Sequence, residues 1–159
     1  MLYSLMALGT FGLCVAAPEA GAADYATLVL SVQVPRPAAV VWKKVGGFCA
    51  IRDWMKVSCA YSSGTGGLGT VRRIAGRIDE VMVGKTAYSY TYTQPASKEL
   101  YHGTVDVEPE GPHKSRIVYS LFYDQSDLPT AQAKARSREQ RTKVFTRALD
   151  SMKALAESR

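Results

Sequence analysis

Three tyrosines alternate along one short stretch, Tyr88, Tyr90 and Tyr92, and Tyr119, Leu121 and Tyr123 repeat the pattern downstream. Alternate residues of a strand share a face. Each set therefore projects its rings to one side, as an apolar wall with hydroxyl tips that suits a flat or amphipathic ligand. The same ladders facing outward would serve only cross-strand packing. Trp54 stands at the end of a short helical stretch, where it either packs in the core or touches a ligand. Arg73 lies in a strand-like run with Val71 and Ala75. If those three face inward, the guanidinium is buried and needs a partner, for which Asp79 or Glu80 would serve. If they face outward, Arg73 forms a surface ion pair.

Other chemistries fare worse. His102 shares its strand face with Thr104, Asp106 and Glu108, a polar set that points to solvent, which argues against a general base inside the protein. His113 lies in a Pro-Gly turn. Two histidines so placed make no metal site, and no acidic pair has ligand spacing. No Gly-x-Ser-x-Gly elbow or nucleophile-base set is present. The glycine-dense run from Ser63 to Gly69 resembles a phosphate loop only superficially, because a strand follows it rather than the helix such a loop requires. It reads as a hairpin connection. No cofactor is implied. The formal charge of +6 draws on one helical run, Lys134, Arg136, Arg138, Arg141, Lys143 and Arg147, which reads as a solvated face. Without zinc-finger spacing or aromatic-basic interleaving, nucleic acid is not an expected partner.

The chain has three cysteines. Cys14 falls in an uncharged apolar run, Leu2 to Ala17, which leads through Pro18 and Glu19 to Ala20-Gly21-Ala22-Ala23. This order predicts a secretory signal peptide over residues 1–23, with cleavage near Ala22 or Ala23. No Lys or Arg precedes the run, and it is shorter than the roughly 20 residues of a bilayer span. Export would make the protein periplasmic or secreted, with no integral membrane span in the mature chain. It would also leave one cysteine pair, Cys49 and Cys59, in an oxidising compartment, where a disulfide is expected. In a reducing compartment the same two residues would be buried free thiols.

The elements that must position these residues follow from the punctuation. Thr27 to Val34 reads as a strand that Pro35 and Pro37 stop. Ala38 to Val45 is a short amphipathic helix ended by Gly46-Gly47, and a second short helical stretch ends at Trp54. Strands are expected over Val57–Ser62, Gly69–Ala75, Arg77–Val83, Lys85–Thr93, Leu100–Val107 and Ser115–Asp124, an antiparallel meander. From Thr130 to Ser158 the residues favour helix. Phe145, Leu149, Met152 and Leu155 form its apolar stripe, widened by Val144, Ala148 and Ala156. Gln132 to Lys143 is polar apart from alanines and would protrude or form an entrance lip.

The order strand, two short helices, strands and long helix resembles the SRPBCC superfamily, the START-like and polyketide cyclase-like helix-grip proteins. The segment Val34–Trp54 carries the likeness best. Gly69-Thr70-Val71-Arg72 resembles the family's Gly-x-x-Arg strand start, and Tyr88-Ser89-Tyr90, Tyr101-His102-Gly103-Thr104 and the run Arg147–Leu155 are also similar. Many relatives place His-Pro after the tryptophan at position 54; here Met55-Lys56 stands instead. The resemblance covers Asp24 to Arg159. It implies an α+β helix-grip domain over 24–159, with a curved antiparallel sheet wrapped around the C-terminal helix and a cavity between them. Three functions fit: a carrier of a small hydrophobic or amphipathic molecule, a cyclase or dehydratase using the same cavity with Tyr90, Asp53 or Arg73 in proton transfer, and an interaction module using the basic helix face. Fold alone does not choose among them.

Overall fold

The computed structural model describes residues 23–158. Residues 1–22, nearly all of the expected signal peptide, lie outside the described residues. Seven strands form one antiparallel sheet in the order β1-β7-β6-β5-β4-β3-β2. They are β1 (Tyr25–Val34), β2 (Cys59–Ser63), β3 (Val71–Ile74), β4 (Ile78–Lys85), β5 (Ser89–Thr93), β6 (His102–Pro109) and β7 (Ser115–Asp124), with helices α1 (Ala38–Val45) and α2 (Ile51–Trp54) between β1 and β2, and α3 (Ala131–Glu157) last. The curved sheet and the long terminal helix make this a helix-grip α+β fold.

Strand alternation sets the inner face. On β6 Gly103, Val105 and Val107 are buried, and on β7 Ser115, Ile117, Tyr119, Leu121 and Tyr123 are. His102, Thr104, Asp106 and Glu108 occupy the outer, wetter face, as their polarity requires. The α3 stripe closes on this surface through Ala148, Leu149, Met152 and Ala156. Thr130 caps the helix by accepting the Ala133 N–H at 3.1 Å, which satisfies one of the orphan donors of the first turn. The polar first half of α3 does not stand free. Lys134 pairs with Asp24 at the start of β1, and Arg141 pairs with Glu99 before β6.

Two local features shape the interior. Gly103 lies directly across from Tyr92, and a Cβ built on it would come within 2.4 Å of the Tyr92 ring. Only glycine lets that ring lie over β6. A disulfide joins Cys49 to Cys59, with Cα atoms 5.5 Å apart, and so ties the segment before α2 to edge strand β2. Among the described residues no helix is long and apolar enough to cross a membrane.

Candidate functional site

The deepest chemistry lies on β3, β4 and β5. Arg72 and Glu80 are cross-strand partners, and both point inward. Arg72 is fully buried and Glu80 nearly so. Glu80 Oε2 accepts from Arg72 Nε at 2.7 Å and lies 2.5 Å from Nη2. Its other oxygen accepts from Gln94 Nε2 at 2.8 Å. Arg72 also donates to the Phe48 carbonyl, and its guanidinium carbon lies 4.2 Å from the Phe48 ring centroid and 4.9 Å from that of Tyr92. A buried charge survives only when paired and hydrogen-bonded; here rings, carbonyl and carboxylate supply most of that, with Nη2 held by ion pairing to Glu80 rather than by a directed hydrogen bond. Glu80 is the one buried acid among the described residues, and both of its oxygens are engaged.

Beside this pair opens an apolar cavity of about 250 Å³. Ile51, Met55, Ile74, Ile78 and Phe145 give its walls, and Tyr92, Tyr101, Tyr119, Glu80 and Gln94 its polar points. It therefore lies between α2, the β3–β5 region of the sheet and the middle of α3. The Tyr92 and Tyr119 hydroxyls hydrogen-bond to each other at 2.8 Å. Burial pushes both hydroxyls well above the ordinary tyrosine value, and burial raises Tyr101 too. All three stay protonated at physiological pH. One proton of the Tyr92–Tyr119 pair is engaged in their mutual bond, so the pair offers one donor to a ligand oxygen and Tyr101 another, and none is a base.

The residues singled out from sequence divide. Tyr92 and Tyr119 line the cavity. Tyr90 faces inward with them but is packed solid, 5.3 Å from the Phe48 ring and 5.9 Å from that of Trp42. Tyr123 is buried beneath the Arg141 guanidinium, 4.1 Å away. Tyr88 precedes β5 and is only partly buried against the core. Trp54 is buried edge-on to Tyr119 at 6.2 Å and borders the groove between α2 and α3, outside the cavity. Asp53 is exposed.

Arg73 requires a correction. It faces solvent and forms a two-pronged ion pair with Asp79, at 2.7 and 2.6 Å. β3 ends at Ile74, and Ala75 belongs to the turn, with φ near 50° beside Gly76 at 70°. Its expected inward role as a face-mate of Arg73 therefore lapses. Ile74 is the residue that sets the inner face, and Arg72, two positions back, shares it. That spacing was the signal for Arg72, and the Asp79-Glu80 alternation was the signal for Glu80. Tyr101 follows from its place opposite the polar face of β6. Gln94 and the cavity-facing side of Met55 had no comparable mark.

The geometry defines a helix-grip protein with an apolar pocket between the sheet, α2 and α3. Residues 25–157 match the family described as "Polyketide cyclase / dehydrase and lipid transport"; the chain belongs to that family and to the SRPBCC superfamily. Solved structures agree on the fold. One is a protein of Nitrosospira multiformis, 18% identical, covering 84% of this chain and 97% of that one with a TM-score of 0.69. Another is the protein XoxI of Bacillus cereus, 19% identical, covering 83% and 96% with a TM-score of 0.69. A third is the ZhuI aromatase/cyclase of Streptomyces sp. R1128, 14% identical, covering 84% and 94% with a TM-score of 0.68. No curated protein matches the chain.

Proposed function

We propose that the protein is an exported carrier that holds a small, mostly apolar molecule in the cavity under α3. One observation carries this reading over catalysis. The single buried carboxylate among the described residues, Glu80, already accepts hydrogen bonds on both oxygens, and the neighbouring tyrosines are held protonated by burial. A binding site needs an apolar cavity with a few fixed polar points. A proton-transfer site also needs an acid or base free to exchange its proton. The cavity, about 250 Å³, falls just below the usual range for ligand sites, which begins at about 300 Å³, and so favours a molecule the size of one or two rings.

Native mass spectrometry of protein purified from its own host tests the reading. The expected spectrum carries a co-purifying apolar adduct. A bare polypeptide mass after gentle isolation argues against it. The same spectrum tests export, because a mature chain beginning near Asp24 has lost residues 1–23.

A cyclase or dehydratase remains the second reading. It is favoured by the hydroxyls of Tyr92, Tyr101 and Tyr119 converging on an apolar space, where fixed donors stabilise a developing oxyanion. Turnover of a poly-β-carbonyl compound, abolished by Tyr119→Phe, would establish it over carriage.

A further inference from the structure

Charge is arranged differently inside the cavity and at its mouth. Inside, the buried cation beside the wall, Arg72, is paired with Glu80 and donates to the Phe48 carbonyl. An anionic group placed there would face the Glu80 carboxylate, with only neutral donors such as the tyrosine hydroxyls beside it. At the mouth the sign reverses. Arg77 lines the cavity itself. Lys56 and Arg147 line the adjoining groove between α2 and α3. Met55 borders both spaces, and Val144 in the groove adjoins Phe145 in the cavity, so the two are neighbours. Lys56, Arg77 and Arg147 are all exposed, and none belongs to an ion pair among the described residues. The acidic residues near them in sequence form no ion pair with them among the described residues. Asp79 is held by Arg73, and Asp53 and Asp150 form no ion pair within the described residues.

We infer that the ligand is an amphipathic anion, with its ring or chain in the cavity and a carboxylate or similar acidic group at the mouth among Lys56, Arg77 and Arg147. The inference rests on the carrier reading above and adds the chemical class and the orientation. The apolar body supplies affinity by leaving water. The exposed cations add a smaller, salt-sensitive share and select the sign of the head group. A head group of the opposite sign is repelled by the same cations.

The test compares 2-naphthoate with its uncharged amide, 2-naphthamide, by calorimetric titration of the full chain. The two share a body that fits the cavity and differ in charge. The carboxylate should bind roughly tenfold tighter at low salt, and the gap should shrink to about threefold or less at high salt, as screening requires. Replacing all three cations (Lys56→Gln, Arg77→Gln, Arg147→Gln) should bring the two affinities within about twofold of each other. Removing three other cations, Arg36, Lys43 and Lys85, changes net charge equally and should preserve the preference. Equal binding of acid and amide to the unaltered protein would overturn the anion inference and leave the carrier reading standing. A preference that survives the triple replacement would overturn the assignment of the mouth. Failure of both compounds to bind would overturn the inference together with the reading beneath it.

Discussion

Two arginines adjacent in sequence lead opposite lives. Arg72 is sealed in the core with Glu80, and Arg73 pairs with Asp79 in water. Strand alternation alone separates them, yet the energetic consequences differ sharply. Glu80→Ala would leave a buried guanidinium uncompensated and should cost about 3–5 kcal/mol in chemical denaturation. Asp79→Ala exposes nothing new to a dry environment and should leave the denaturation midpoint almost unmoved. The tyrosines give a second expectation. Their folded-state values lie above the ordinary 10.0 because burial disfavours the phenolate. The unfolded chain therefore loses protons first, so stability is complete below about pH 10 and falls as pH rises beyond it. Denaturation midpoints measured from pH 8 upward should show that fall beginning near 10. Tyr92→Phe should start less stable at neutral pH, where its hydrogen bond to Tyr119 is lost, and should fall less steeply in alkali.

Much of the element structure was legible in the sequence. α1, the end of α2, β7 and the span of α3 follow from prolines, Gly-Gly, a Pro-Gly turn and a helical apolar stripe, all of which act locally. The faces of short strands were less legible. β3 has four residues, too few for alternation to outweigh one misassigned neighbour, and Ala75 in the turn supplied that error. The packing between elements was not legible at all. Nothing in the residues before α2 announces that the Phe48 carbonyl meets Arg72, or that Tyr90 fills space that Tyr92 leaves open. Gly103 illustrates how one position couples two strands. Gly103→Ala should cost about 1–3 kcal/mol through overpacking, and it should also weaken ligand binding, since the displaced Tyr92 ring would move against the cavity or the Tyr119 hydroxyl. A variant that keeps full stability in thermal denaturation would show that the ring has room to yield.

At the scale of the whole molecule, the sheet and α3 share one interior unequally. Above β1 and β7 the α3 stripe fills it, and beside β3 and β4 it stays open. The disulfide anchors the segment leading into α2 close to this open end, which holds one wall of the cavity in an oxidising environment. The chain contains four isoleucines, and their placement makes a direct test of whether that open end takes a ligand. Ile51, Ile74 and Ile78 line the cavity, whereas Ile117 is fully buried away from it. With the isoleucine δ1 methyls labelled, titration with an uncharged two-ring aromatic such as 2-naphthamide should shift three methyl resonances in the NMR spectrum and leave that of Ile117 in place. Four unmoved resonances, or a shift at Ile117 as large as the others, would contradict a binding cavity at this position.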